Sequence, residues 1–144
     1  MSGGRPRLVP ELEVTDLPAS LAFYVERAGF AILYERPDEG FAYLDLDGAE
    51  LMLEEIGKSR RFQPDVPIER PFGRGLNLQI EVAAADDLHA RLAPTPDELV
   101  LALEDAWYDV GDHQLGNRQF VVRDPDGYLL RFFSDLGRRG SPPV

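Results

Sequence analysis

The sequence predicts an α+β fold in which two βαβββ modules form a curled sheet cup, and three observations predict it. Two segments, Leu8 to Val14 and Leu76 to Val82, alternate apolar and polar residues as half-buried strands do. Each runs into a short helical stretch, the first opened by Asp16 and the second by Asp86. Two turns, Asp47-Gly48-Ala49 and Asp124-Pro125-Asp126-Gly127, each close a strand pair that ends one half of the chain. The halves share few identical residues but one order of elements, which reads as an internal duplication.

In module one, residues 7–56, Pro10 lies near the strand start, where a missing N–H is tolerated. Asp16 is the expected N-cap and Pro18 takes an early helical position. Leu21, Ala22, Val25 and Ala28, with Phe23 and Tyr24, make an amphipathic helix that Gly29 ends. Strands follow at Ala31 to Glu35, Phe41 to Asp45 and Glu50 to Glu55. Residues 57–75, with Lys58, Arg60, Arg61, Pro64, Pro67, Pro71 and three glycines, form a connector of a length that often carries function or covers a site. In module two, residues 76–134, the helix from Asp86 holds Leu88 and Leu92 and stops before Pro94 and Pro96. Leu99 to Glu104 is a strand, Asp105 to Gly116 is less regular, and Asn117 to Phe132 is the closing hairpin. The tail Gly137 to Val144, with Pro142-Pro143, is expected to be mobile.

The chain has 144 residues, 44% of them hydrophobic, so a single domain spanning residues 1–144 is expected. Folding at this length buries about two thirds of the unfolded chain's surface without crosslinks. There is no cysteine, which removes disulfide, zinc-thiolate and thiol-nucleophile chemistry. No apolar run is long enough for a signal peptide or a membrane span, so cytoplasmic residence is expected. The net charge of −11, from 26 acidic against 15 basic residues, argues against nucleic acid as a partner and favours a cationic one.

Alternation also says which side chains line a hollow. If Leu8, Leu12 and Val14 face the first helix, Glu11 and Glu13 look into the cup. With Leu76, Leu78, Ile80 and Val82 on the second helix, Asn77, Gln79 and Glu81 look inward. The same logic turns Met52, Glu54, Leu129, Arg131 and Phe133 to that side. A solvated antiparallel sheet face has the same alternation, and the aromatic residues separate the two. Tyr34, Phe41, Phe62, Phe72, Trp107 and Tyr108 fall in edge strands or irregular segments. Flat rings beside carboxylates make a receptor for a planar or cationic ligand.

His89 on a helix and His113 in a loop fall in no metal-binding spacing and are expected at the surface. No phosphate cradle or nucleophile elbow is present, and Gly73-Arg74-Gly75 signals only flexibility.

The run Val14-Thr15-Asp16-Leu17-Pro18-Ala19-Ser20-Leu21-Ala22-Phe23-Tyr24, the helix end Ala28-Gly29-Phe30, the closing run Gly116 to Phe132 and the duplicated order together resemble the vicinal oxygen chelate superfamily. That superfamily includes glyoxalase I, extradiol dioxygenases, fosfomycin resistance enzymes and bleomycin resistance proteins. The resemblance covers Leu8 to Ser134 and implies the glyoxalase/bleomycin resistance/dihydroxybiphenyl dioxygenase fold. In the superfamily's enzymes it implies a divalent metal held by His, Glu or Gln on the paired first and last strands of each unit. Those positions fall here on Val9, Met52, Asn77 and Arg131, which are not a ligand set for a hard divalent ion. Glu11, Glu54 and Glu81 leave room for a displaced carboxylate site.

The metal-free branch is resembled most closely. Val9-Pro10, and Arg118-Gln119-Phe120 before Arg123-Asp124-Pro125, are similar to the bleomycin resistance proteins. This resemblance implies no cofactor, no catalytic residue and no metal ligand. It implies a homodimer that captures a cationic, metal-chelating glycopeptide in grooves between subunits, with Tyr34, Phe41, Glu54 and Gln79 or Glu81 at the binding surfaces. Together with the inward-facing residues, the expected ligand-binding set is Glu11, Glu13, Tyr34, Phe41, Glu54, Asn77, Gln79, Glu81, Trp107, Tyr108 and Arg131. One departure stands out: Leu115-Gly116 occupy the place of the family's tryptophan, and Trp107-Tyr108 come several residues earlier. The alternative is a metal-dependent lyase of the glyoxalase type, similar to lactoylglutathione lyase, or a dioxygenase, with its ligands moved.

Overall fold

Each half of the chain builds one four-stranded mixed sheet, and both sheets follow one plan. A computed structural model describes residues 4–58 and 67–140, and the chain divides into two compact units, Met1–Arg70 and Pro71–Val144. Arg60, Arg61, Phe62, Pro64 and Pro142-Pro143 lie outside the described residues.

In unit one the order is β1 (Glu11–Val14), α1 (Leu17–Leu21) continuing as a π-helical stretch over Ala22–Arg27, β2 (Ala31–Arg36), β3 (Phe41–Leu46) and β4 (Ala49–Glu55). The sheet order is β1-β4-β3-β2, with β1 parallel to β4 and the other pairs antiparallel. Asp16 caps α1, its Oδ1 accepting from the Ala19 N–H at 3.2 Å. Glu55 Oε1 accepts from the Leu17 N–H at 2.8 Å. That bond, followed by the one to Lys58, holds the Glu55 carboxyl below the usual range and ties the helix start to the end of β4. Leu12, Val14, Leu44, Leu51 and Leu53 are at most 2% exposed, and the core is completed by Phe23 and Tyr24 from the helical segment. Each such burial stabilises by about 1.5–3 kcal/mol. The β3–β4 turn has positive φ at Asp47 (50°) and Gly48 (97°), the primed geometry that matches strand twist.

Unit two repeats the plan with β5 (Asn77–Glu81), α2 (Ala85–Leu92), β6 (Leu99–Asp109), β7 (His113–Arg123) and β8 (Leu129–Gly140), in sheet order β5-β8-β7-β6. Ser134 Oγ accepts from the Ala85 N–H at 3.1 Å, so α2 starts one residue before the expected Asp86. Leu88 and Leu92 of α2 are buried, as are Phe120, Leu130 and Phe132 on β7 and β8, the two strands it packs on. The His89 ring meets Phe120 edge-on at 5.0 Å and is only partly exposed.

Three expectations need correction. Leu8 is 83% exposed and lies outside β1, which starts at Glu11. Asp105 to Gly116 is not irregular, because β6 runs to Asp109 and β7 begins at His113. The Arg118–Asp105 pair, with bonds of 2.8 and 3.1 Å, ties those strands together. Gly137 to Gly140 continues β8, where Arg139 Nε donates to Gln114 Oε1 at 2.7 Å. The strand ladder and this side-chain bond supply an order that a Gly- and Arg-rich composition hides.

The closing turn is the most constrained local structure. Asp124, 5% exposed, accepts from the N–H groups of Asp126 and Tyr128 through Oδ1, each at 2.9 Å. Gly127 sits at φ +100°, and a Cβ there would lie 2.7 Å from Pro71 Cβ and 2.8 Å from Pro71 Cα. Gly48, at φ +97°, has open space around it. Gly127→Ala therefore adds a clash with backbone to the strain of a positive φ, whereas Gly48→Ala adds strain alone. In urea unfolding, Gly127→Ala should cost about 2–4 kcal/mol and Gly48→Ala about 1 kcal/mol. Equal losses would refute the clash.

Candidate functional site

Strand register decides which side chains share a face, because paired residues in adjacent strands point the same way. In unit one, one row runs Glu13, Glu54, Phe41, Arg36 and the next runs Glu11, Met52, Tyr43, Tyr34. Glu13 is 6% exposed and Glu54 3%. Glu11 hydrogen-bonds to Glu54. That bond first, then burial and the neighbouring carboxylates, pushes the Glu11 carboxyl up to about 7, with Arg36 partly offsetting them. Burial, followed by the charge of Glu54, pushes Glu13 up to about 7. Glu54 Oε2 is buried without a hydrogen-bond partner among the described residues. The row is thus short of positive charge.

Beside it stands an aromatic ladder. Tyr34 stacks on Tyr43 with centroids 4.9 Å apart and lies 6.0 Å from Phe41. Phe41 is buried, and the Arg36 guanidinium sits 3.9 Å from its ring centroid and 3.4 Å from Glu39. The chain's own cation thus covers Phe41 and lies 5.8 Å from the Tyr34 ring centroid, and Tyr34 is 49% exposed. The Tyr43 hydroxyl donates to Glu50 Oε1 at 2.6 Å; this bond, then burial, pushes its pKa up to about 12. Tyr34, Tyr43, Glu50 and Met52 line a hollow of about 500 Å³ that Arg5 and Arg7 also border.

Unit two has its own hollow, of about 430 Å³. Gln79 and Glu81 come from β5 and Arg131 and Phe133 from β8, paired Gln79 with Arg131 and Glu81 with Phe133. Tyr108, Val110 and Leu115 from the β6–β7 hairpin, with Asn117 and Asp135, complete the wall. Gln119, 1% exposed, donates through Nε2 to Glu104 at 2.9 Å and to the Tyr108 hydroxyl at 2.6 Å, which fixes the tyrosine. Trp107 is absent from this lining: its ring lies over Gly116, with the Arg139 guanidinium 4.2 Å from its centroid. Asn77 is exposed, paired with Leu129, and also outside the hollow. Phe72 packs on Tyr128 at 5.9 Å.

The expected residues therefore gather in two groups, Glu13, Glu54 and Phe41 with Glu11 and Tyr34 one row over, and Gln79, Glu81, Tyr108 and Arg131. Sequence reasoning missed Tyr43, Glu50, Val110, Leu115, Asn117, Gln119 and Asp135. Carrying the alternation of β7 back through Leu115 would have found Asn117 and Gln119 on one face.

The donor set implied for a divalent metal does not fit. Val9 offers no donor, Met52 offers a soft thioether, Asn77 is a lone exposed amide, and Arg131 brings a cation. Among the described residues no three His, Cys, Asp or Glu side chains are arranged to hold a metal ion. Among them, too, no helix is long and apolar enough to cross a membrane.

Comparison with known proteins finds relatives over most of the chain. The bleomycin resistance protein of Geobacillus stearothermophilus is 28% identical over 138 residues, covering 89% of this chain and 96% of its own. The Staphylococcus aureus bleomycin resistance protein matches to the same extent. Among solved structures, TioX from Micromonospora sp. ML1 superposes with a TM-score of 0.69 at 24% identity, covering 93% of this chain and all of its own. A protein of unknown function from Agrobacterium tumefaciens str. C58 gives 0.67 at 25% identity, covering 94% and 98%. With residues 9–132 matching the model of the Glyoxalase/Bleomycin resistance protein/Dioxygenase superfamily, the chain belongs to that superfamily.

Proposed function

We propose that this chain captures a cationic, ring-bearing small molecule of the bleomycin type, without metal or catalysis, in the groove of a homodimer. The observation that carries the reading is the buried Glu13–Glu54 pair, with Glu11 exposed beside it, next to a tyrosine ladder whose Tyr34 is half exposed. The carboxyls of Glu11, raised first by its hydrogen bond to Glu54, and of Glu13, raised first by burial, gain most from an arriving cation, which favours their charged form. A ring on Tyr34 adds stacking. The bleomycin resistance relatives support the class of ligand. Ile32, Leu33 and Tyr34 are exposed on the edge strand β2 and support assembly of two chains. Arg5 and Arg7 border the neighbouring hollow and oppose a cation there, so attraction is assigned to the Glu row.

Calorimetric titration with metal-free and copper-loaded bleomycin tests this reading. Saturable binding is expected, weakening several-fold as salt rises from about 0.05 to about 0.3 M. Affinity should also rise between about pH 6 and about pH 8, with protons released on binding, because Glu11 and Glu13 lose theirs there. Absence of heat at low salt would remove the drug from the reading.

The same groups set a stability dependence of defined sign. A carboxyl raised from 4.5 to about 7 on folding stabilises the fold fully below pH 4.5, and that stability is lost as pH rises through 7. Glu13→Gln removes one such group. Its melting temperature, relative to the parent, should therefore be more favourable at about pH 8 than at about pH 5. A pH-independent difference would show that Glu13 does not titrate there.

A further inference from the structure

We propose that the hollow of unit two binds the neutral amide edge of a ring-bearing ligand, a carboxamide or lactam, with Arg131 donating to its carbonyl oxygen. The inference deepens the capture reading above and rests on it. Arg131 Nε is buried and, among the described residues, has no hydrogen-bond partner. A buried charged donor left unmade is costly, so an acceptor for which the wall of the hollow yields enough to reach this nitrogen gains more than it would on a solvated arginine. Gln79, paired with Arg131 across β5–β8, and Asn117 offer further amide donors and acceptors in the same hollow.

Charge selects the kind of acceptor. The lining holds one cation, Arg131, against two carboxylates, Glu81 and Asp135, in a chain of net charge −11. An anion meets repulsion from both carboxylates and from the chain as a whole. A cation is attracted by the two carboxylates but offers Arg131 no acceptor. A neutral planar group with a carbonyl oxygen beside an N–H satisfies both, the oxygen toward Arg131 and the N–H toward a carboxylate.

Shape selects the body. Tyr108, Val110 and Leu115 are 40%, 44% and 43% exposed and give the hollow an apolar wall, with Tyr108 held by Gln119. A space of about 430 Å³ accommodates a fused bicyclic ring and its amide, within the range of about 300–1,000 Å³ usual for small-molecule sites.

Three probes separate the possibilities: 2-naphthamide, 2-naphthoate and 2-naphthylmethylammonium, titrated into the full chain by calorimetry with ligand-observed NMR. Naphthamide should bind tightest. Arg131→Met should weaken it about tenfold or more, and Arg131→Lys, which keeps the charge but loses Nε, should weaken it as well. Glu81→Gln, by removing one carboxylate, should improve naphthoate relative to naphthamide. The proposal is overturned if naphthoate or the ammonium probe binds the parent chain more tightly than the amide. It is equally overturned if none of the three binds, or if folded Arg131→Lys keeps full naphthamide affinity. Because these probes contain no bleomycin, failure of the drug titration leaves this outcome intact.

Discussion

Parallel pairing of the first and last strand in each unit is the constraint on which the rest depends. Had β1 joined its sheet elsewhere, Glu13 and Glu54 would not share a row, and had β5 done so in the other sheet, neither would Gln79 and Arg131. A slip of one residue would set Leu53 or Glu55 opposite Glu13 and turn the core side chains Leu12 and Val14 outward. The pairing is therefore fixed by burial of aliphatic residues on one face, and the polar face inherits its arrangement. Cooperation between chain segments far apart in sequence comes from the hydrophobic core, not from attraction among the polar groups themselves.

Those polar groups are poorly compensated, and in opposite senses. Unit one crowds three carboxylates and spends its nearby cation, Arg36, largely on Phe41 and Glu39. Unit two buries a guanidinium nitrogen that has no acceptor among the described residues. Folding tolerates both because each sits on a sheet whose opposite side is packed with residues such as Leu53 and Leu130, which are fully buried. Uncompensated polarity on a rigid scaffold is a common mark of a surface shaped for a ligand rather than for stability.

Much of the fold was legible because its signals are local. Asp16, the Asp47-Gly48 turn and Asp124 to Gly127 act within a few residues, and each forms as its chemistry requires. Alternation placed Glu11, Glu13, Glu54, Gln79, Glu81 and Arg131 on their faces. What sequence hid depends on distant partners. The stretch from Asp105 to Gly116 lacks clean alternation, and its order comes from Arg118 on Asp105, Gln119 on Tyr108 and Trp107 on Gly116. Neither the covering of Phe41 by Arg36 nor the presence of Arg5 and Arg7 beside Tyr34 can be read from residue spacing.

The sandwich of Trp107 between Gly116 and Arg139 has an optical consequence. The chain holds one tryptophan, so its intrinsic emission reports from a single place, the outer end of the β6–β7 ribbon. Quenching or a wavelength shift there registers fraying of that ribbon or a change beside it, whereas proton uptake follows Glu11 and Glu13 of unit one. Fluorescence and proton uptake thus give two separate windows onto one molecule without any added label.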